Sequence, residues 1–129
     1  MTQPTQQNRF VGVDGGGPFS GDTLLLTGFS GTEILSQLFR FDLNLISLRN
    51  HEVNFTEAIG KNVTVRLGLH GGGDRYFNGF VCSFTQTGVG KASSPQAYST
   101  YEAVVVPWLW MLTRTANCRI FQKMKAPDI

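Results

Sequence analysis

Apolar and polar residues alternate over positions 38–47, and this alternation constrains the fold more than any other feature of the sequence. The apolar set is Phe39, Phe41, Leu43 and Leu45, and the polar set is Arg40, Asp42 and Asn44. Successive side chains of a strand point to opposite faces, so a period of two predicts a strand with one face in a core. Ile46 and Leu48 extend apolar character to the opposite face.

Five further segments have the composition of strands and are separated by turn-forming residues. They cover residues 10–13, 23–29, 62–69, 75–87 and 98–106. The glycines at 71–73 predict a hairpin, because glycine supplies the positive φ values of a tight reversal. Gly79, in the middle of its strand, predicts a bulge or sharp curvature of the kind that closes barrels. Together the six segments predict a mainly β fold, a small antiparallel β-barrel or strongly curved sheet with one or two short helices.

The pattern also predicts which side chains two of these strands bury. In the segment 62–69, the alternation places Val63, Val65, Leu67 and Leu69 inward. In the segment 75–87, Phe80, Cys82 and Phe84 share one face, so we expect Cys82 to be a small buried apolar residue.

The residues that follow the last strand have a helical pattern. Pro107 lacks an N–H and has the fixed φ of a first helical position, so it ends strand pairing there. Trp108, Leu109, Met111 and Leu112 follow at helical spacings, which predicts a short helix that plugs or caps the β structure. Trp108 and Trp110 would point to different sides of that helix, which predicts an exposed apolar patch on this chain.

A second, shorter helical turn is expected within residues 50–60. Asn54 or Thr56 has the side chain of a helix N-cap, and Gly60 would end the turn.

Length and composition indicate one domain without a strongly charged partner. The chain has 129 residues and a formal net charge of +2, which is too weak to indicate nucleic-acid binding. Residues 1–8 are polar and are expected to form a disordered tail ahead of a domain over 9–129. Because no segment is typical of a signal peptide or a membrane span, we expect a cytoplasmic protein with two reduced thiols and no membrane anchor.

The sequence contains only weak signals for catalytic, phosphate-binding or metal-binding sites. The glycine run 15–17 has no Lys-Ser/Thr pair after it, so a plain loop is favoured over a phosphate-binding loop. His51 has no acidic or metal-ligating partners placed near it by the sequence. We therefore predict that the domain is not an enzyme and has no catalytic residues, no cofactor and no metal site.

Five stretches, in this order and spacing, resemble the N-terminal hub region of the VgrG family of type VI secretion spike proteins. The stretches are residues 29–36 with 38–43, then 59–65, 75–81, 101–112 and 118–122. That region is itself similar to the baseplate hub proteins of contractile-tailed phages. The family-motif residues in these stretches are Phe39, Phe41, Gly60, Gly79, Pro107, Trp108, Leu112, Arg119, Phe121 and Gln122.

The resemblance implies a structural function in a contractile injection machine. It implies a hub-type β-barrel that forms a homotrimer, sits on a hexameric tube and carries a cell-puncturing needle, with effector or adaptor proteins as further partners. Such a spike is cytoplasmic when assembled and is translocated into the target cell on contraction. The resemblance also implies that residues 9–129 stop before a second barrel and the needle.

Ile46, Leu48 and Trp110 are the candidates for a subunit interface, because an exposed strand edge or apolar patch can pair between subunits. They could equally face the chain's own helix. Two other functions stay open at this point, a phage or prophage tail baseplate hub and a small-ligand-binding β-barrel. The second would need a roomy apolar lumen.

Overall fold

The computed structural model describes residues 4–48, 51–89 and 97–116, together with residues 118, 120, 122, 123 and 125. The strands in chain order are β1 (Val11–Gly15), β2 (Leu25–Thr32), β3 (Arg40–Leu48), β4 (Asn62–Gly68), β5 (Asp74–Val89) and β6 (Tyr98–Val106). The helical elements are a 3₁₀ turn at Gly17–Phe19, the helix α1 (Phe55–Ala58) and a 3₁₀ helix at Trp108–Arg114.

The six strands form one antiparallel sheet in the order β1-β4-β5-β6-β3-β2. The sheet curls so strongly that its two edge strands, β1 and β2, contact each other without a hydrogen-bonded ladder between them. This arrangement confirms the predicted fold class, a mainly β structure built from a strongly curved antiparallel sheet with short helices.

The interior of the curled sheet is filled by apolar side chains. Leu24, Leu26, Leu43, Val63 and Val81 are each fully buried within one cluster. Burial of a single side chain of this size stabilises the folded state by about 1.5–3 kcal/mol relative to exposure. The interior therefore serves as a packed core.

Strand β3 has the burial pattern that its sequence predicts. Phe41, Leu43 and Leu45 are buried, whereas the polar residues between them are exposed. Ser47 continues the buried face, although serine is polar, because its hydroxyl donates a hydrogen bond to the carbonyl of Thr23 at 2.6 Å. A satisfied hydroxyl can be buried at little cost, so the core face extends to the end of the strand.

Strand β5 departs from its predicted pattern because two bulges interrupt its pairing with β6. The irregularities lie between Val81 and Ser83 and between Gln86 and Gly88. The first bulge shifts the alternation, so that Val81 and Phe84 are both buried while Cys82 is only partly buried. The expectation of a buried Cys82 on one face with Phe84 is therefore wrong.

Other differences occur at strand ends. Strand β2 continues to Thr32, and a bulge between Leu26 and Gly28 accompanies the burial of three consecutive leucines at 24–26. Leu69 lies beyond the end of β4 and is 48% exposed, so its predicted inward position is wrong. The hairpin prediction is confirmed, since the glycines at 71–73 all have positive φ and Leu69 N–H donates to the Gly73 carbonyl.

Two aromatic clusters pack toward opposite ends of β6. Phe29, Phe39, Phe41 and Phe77 are in ring contact at the end where β6 finishes. Phe19, Phe55, Phe84 and Tyr101 are in ring contact toward the end where β6 begins. Aromatic pairs of this kind add to the stabilisation from area burial, and the two clusters contain seven of the ten phenylalanines of the chain.

Candidate assembly surfaces

Two segments at one end of the sheet expose several large apolar side chains. Phe41 pairs with Val105, so the loop that precedes β3 and the 3₁₀ helix that follows β6 emerge at the same end. The exposed apolar residues of these two segments, hereafter the apolar end, are Ile34, Leu35, Leu38, Trp108, Leu109, Met111 and Leu112. Apolar side chains concentrated on one region of a surface mark a site of association.

The local sequence explains why the 3₁₀ helix presents its side chains to solvent. Pro107 precedes the helix in an extended conformation, and its carbonyl accepts a hydrogen bond from Trp110 N–H at 3.0 Å. The helix contains no buried residue, and Trp108 is 63% exposed. The predicted helix is therefore present but does not plug the barrel, and the predicted exposed apolar patch is confirmed.

Trp110 occupies a different side of the same helix. It is half-buried, and the guanidinium of Arg114 lies over its ring at 4.3 Å from the centroid. A cation placed over an indole face is attracted by the ring quadrupole, which favours this arrangement of the two side chains.

Charged pairs surround the aromatic cluster at this end. Arg75 binds Glu33 at 3.1 Å and lies over the ring of Phe77 at 4.6 Å from the centroid, which joins β5 to the loop after β2. Arg40 binds Asp42 at 2.9 Å on the outer face of β3. The hydrogen bond and charge of Asp42 raise the pKa of Arg40. Both ion pairs are exposed and contribute little to stability.

Ile46 and Leu48 lie on the outward face of β3 and are half-buried. Ile46 is flanked by Leu25 on β2 and Thr100 on β6, so both edges of β3 are already paired within the chain. The expectation of an exposed strand edge at β3 is therefore wrong. These two residues could contact a partner only through their side chains.

The structure brings three of the family-motif residues together. Gly79 packs against Phe39 and Val105, and Phe39 is in ring contact with Phe41 at 4.9 Å between centroids. Gly60 lies elsewhere, with φ of +76°, and its N–H donates to the Val81 carbonyl at 2.8 Å, which ties the α1–β4 turn to β5.

The remaining family-motif residues belong to the C-terminal part of the chain. Trp108 and Leu112 lie on the exposed 3₁₀ helix. Gln122 is exposed, and Arg119 and Phe121 lie outside the described residues.

The side chains that could act in catalysis or bind a metal ion are dispersed over the described residues. Nowhere in the described ranges do three or more His, Cys, Asp or Glu side chains form a group that could hold a metal ion. The Nδ1 atom of His51 is buried and has no hydrogen-bond partner among the described residues. Partial burial raises the pKa of the Cys82 thiol, and the nearby charge of Arg40 opposes this shift.

Among the residues that the structure describes, none of the helices combines the length and the apolar character that crossing a bilayer requires.

Comparison with known proteins identifies relatives over nearly the whole chain. The chain is 40% identical over 124 residues to the type VI secretion system spike protein VgrG1b of Pseudomonas aeruginosa, 39% identical over 125 residues to VgrG1c and 38% identical over 125 residues to VgrG1a of the same organism. These alignments cover 96–97% of this chain but only 16–18% of each relative. The chain thus spans about one sixth of the length of the curated relatives it matches.

A solved structure has a related fold. It is the E. coli c3393 protein, described as a component of the type VI secretion system with structural similarity to the T4 bacteriophage tail proteins gp27 and gp5. The superposition has a TM-score of 0.51 at 24% sequence identity and covers 71% of this chain and 26% of that chain. The likeness supports the curled antiparallel sheet as the shared fold.

The family comparison covers most of the sheet and all of the apolar end. Residues 32–129 match the family described as phage tail baseplate hub (GPD). Strands β3 to β6 and the family-motif residues all lie within the matched range. The chain therefore belongs to the phage tail baseplate hub (GPD) family.

Proposed function

We propose that this domain is the hub domain of a trimeric, cell-puncturing spike in a type VI secretion system. The observation that carries the proposal is the 38–40% identity to three VgrG spike proteins over almost the entire chain. Under this proposal the domain sits on a hexameric tube, is cytoplasmic while the machine is assembled, and reaches the target cell when the machine contracts.

Two properties of the fold support a mechanical rather than a chemical role. The interior of the curled sheet is filled by core side chains. Its exposed apolar residues are concentrated at the apolar end. We propose that the domain acts as an assembly block without enzymatic activity of its own.

The apolar end is the proposed surface for assembly. Trp108 and Leu112 are 63% and 56% exposed on a helix that buries none of its residues, so a partner could cover them without unfolding the barrel. Trp110, Ile46 and Leu48 are half-buried, and we propose that they contribute at the margin of the subunit contacts. Apolar side chains at the centre of an interface usually supply most of its affinity.

A phage or prophage tail hub is the second candidate, favoured by the description of the matched family. The three Pseudomonas relatives favour the secretion spike instead. The filled interior counts against a small-ligand-binding barrel, which needs a cavity of several hundred Å³.

Light scattering behind size exclusion, over a wide concentration range, tests the assembly. The chain should form trimers that dissociate on dilution, and the double substitution Trp108→Ser/Leu112→Ser should shift the equilibrium to monomers. Val89→Ser is the matched control, because Val89 is 57% exposed and pairs with Ser99 at the opposite end of β6. A chain that is monomeric at every concentration, or a Val89 variant as impaired as the double variant, would contradict assembly through the apolar end.

Binding to tube proteins distinguishes the two candidate machines. The immobilised domain should retain hexameric rings of a type VI tube protein and should not retain a phage tail tube protein. Retention of only the phage protein would favour the phage hub, and retention of neither would count against both tube contacts.

A further inference from the structure

Asn78 and Gly79 form the single Asn-Gly pair of the sequence. The main-chain nitrogen of the residue after an asparagine can attack the side-chain amide carbon, and glycine obstructs this attack least because it has no Cβ atom. The product is a cyclic succinimide, which water opens to aspartate or isoaspartate. Asn78 therefore has the sequence signal of a site of spontaneous deamidation, a covalent modification that replaces a neutral amide by a carboxylate.

The fold explains why this reactive pair occurs in the middle of β5. Gly79 is buried against Val105, and a Cβ atom would have no space there. Asn78 is exposed on the opposite face of the strand, since successive side chains alternate between the two faces. From that face its side-chain amide reaches β4. The glycine is thus required by packing, and the asparagine contributes contacts between two strands.

A reciprocal pair of amides holds the Asn78 side chain against β4. Asn78 Nδ2 donates to Asn62 Oδ1 at 2.8 Å, and Asn62 Nδ2 donates to Asn78 Oδ1 at 3.0 Å. Asn78 Nδ2 also lies 2.9 Å from Thr64 Oγ1 and 3.2 Å from the Val63 carbonyl oxygen. Both polar atoms of the Asn78 amide therefore have partners on β4. The amide carbon cannot turn toward the Gly79 nitrogen unless these hydrogen bonds break.

The pairing of β5 with β4 adds a second restraint. Asn78 lies opposite Thr64, and Gly79 lies opposite Val63 in the antiparallel ladder. Asn62 Nδ2 also donates to the Gly79 carbonyl at 3.2 Å. Closure of the succinimide ring requires the main chain between Asn78 and Gly79 to leave the extended conformation of a strand. Attack therefore requires that the pairing of β4 with β5 opens locally.

We propose that Asn78-Gly79 is a protected deamidation site, in which the amide pair with Asn62 prevents reaction while β4 and β5 are paired. When the pairing opens, Gly79 N forms a bond to Asn78 Cγ, and the Nδ2 group leaves as ammonia with the proton of Gly79 N–H. Water from the solvent then adds to one of the two carbonyl carbons of the succinimide. The bond from that carbon to the ring nitrogen breaks, which leaves aspartate or isoaspartate at position 78.

Either product weakens the contact between β4 and β5. A carboxylate at position 78 only accepts hydrogen bonds, so it cannot donate to Thr64 Oγ1 or to the Val63 carbonyl. Isoaspartate adds a methylene group to the main chain of β5, beside the close contact of Gly79 with Val105. The modification thus marks chains whose sheet has opened at this place. The protection needs no assembly, so it is independent of the proposed hub function.

Peptide mapping by mass spectrometry, after incubation of the 129-residue chain at mildly alkaline pH, measures the rate at which Asn78 is converted to the acid. The folded chain should react more slowly than the urea-unfolded chain by roughly tenfold or more. In Asn62→Ala, the folded-state rate should rise roughly tenfold, because two hydrogen bonds of the Asn78 amide are lost. In urea this variant should react like the parent chain, whereas Gly79→Ala should react more slowly there.

Two variants serve as controls in the folded state. Asn44→Ala removes another exposed asparagine of the sheet, whose side chain makes no hydrogen bond within the described residues. Ser47→Ala removes the hydrogen bond to Thr23 and lowers stability without a change at the amide pair. Neither should accelerate the reaction. If Asn62→Ala does not fold, Thr64→Val serves instead, since it removes one acceptor of the amide and keeps a β-branched side chain.

Three outcomes would contradict the proposed site. Absence of the modification in urea would overturn the site itself. Equal rates in the folded and urea-unfolded parent chains would overturn the protection. Acceleration in Ser47→Ala as large as in Asn62→Ala would show that global unfolding controls the reaction, and would overturn the role of Asn62.

Discussion

Gly79 on β5 lies directly against Val105 on β6. A Cβ atom at position 79 would come within 2.6 Å of Val105 Cγ1 and 2.7 Å of the Val106 carbonyl oxygen, which are distances that real Cβ atoms do not reach. The glycine at this position is therefore required for the close approach of the two strands and not for a bulge.

Replacement of Gly79 by alanine should destabilise the fold by about 1–3 kcal/mol, because the added methyl group forces the strands apart. The free energy of unfolding from urea titration is the measurement. Gly28→Ala is the matched control, since a Cβ there meets nothing within 4 Å, and it should change stability by less than about 0.5 kcal/mol. Equal effects of the two substitutions would contradict the steric explanation.

The N-cap of α1 gives a second prediction. Asn54 Oδ1 accepts hydrogen bonds from the N–H groups of Thr56 at 3.0 Å and Glu57 at 3.4 Å. Asn54→Ala should therefore lower the free energy of unfolding by about 1 kcal/mol, and Asn54→Asp should retain most of the stability. Thr56→Ala tests the alternative cap and should have a small effect. A larger loss for Thr56→Ala than for Asn54→Ala would show that the cap is assigned to the wrong residue.

Substitutions of two leucines, one in the core and one at the apolar end, should have different effects on the free energy of unfolding. Leu43 is fully buried, so Leu43→Ala should destabilise the chain by about 3–5 kcal/mol through lost burial and the cavity left behind. Leu112 is 56% exposed, so Leu112→Ser should leave the free energy of unfolding of the monomer within about 0.5 kcal/mol. Thermal and urea unfolding, at a protein concentration too low for assembly, measure the effect of each substitution. Strong destabilisation by Leu112→Ser would mean that the apolar end belongs to the core.

The thiol of Cys82 gives a prediction that depends on pH. Its burial raises the pKa above the ordinary value of about 8.5, so near pH 8 the folded chain should have less thiolate at Cys82 than the unfolded chain. In a Cys118→Ser background, iodoacetamide should therefore modify Cys82 more slowly in the folded state. Equal rates in the folded and urea-unfolded chains would contradict the raised pKa.

The same shift has a defined sign for stability. Because the folded-state pKa is raised, the contribution of Cys82 is present below about pH 8.5 and is lost as pH rises through the raised value. The difference in unfolding free energy between the parent chain and Cys82→Ser should accordingly decrease above pH 8.5. An increase with pH would show that the nearby charge of Arg40 outweighs burial.

The strands with a regular pattern could be predicted from the sequence. In β3 the period of two translates directly into buried and exposed faces, and β6 has the predicted bounds of Tyr98 to Val106. The N-cap at Asn54 and the glycine hairpin at 71–73 follow from local backbone chemistry, which does not depend on the rest of the fold.

The bulges could not be predicted, because they depend on pairing between distant strands. The extra residue at Cys82 exists only relative to β6, and it moves Val81 and Phe84 to the same side of the sheet. Burial of Ser47 depends likewise on the carbonyl of Thr23, which lies just before β2.

The hydrogen bonds of Gln6 and the exposure of the apolar end could not be predicted for a related reason, since both depend on the three-dimensional structure. A glutamine among polar residues has no local signal that marks it as the partner of Val13. The apolar character of the helix after Pro107 was visible in the sequence, but its exposure depends on where β6 directs it.

The strand order also determines the time course of folding. Strands β4, β5 and β6 are consecutive in the chain and adjacent in the sheet, whereas β1 must wait for β4, and the β2–β3 hairpin must wait for β6. During synthesis, β1 therefore leaves the ribosome before β4 exists, and the β2–β3 hairpin leaves it before β6 exists. Since distant pairings form slowly, the central meander should gain protection first in pulsed hydrogen exchange, and β1 last. The nascent chain thus has to keep strands β1, β2 and β3 from misassociating until β6 has emerged.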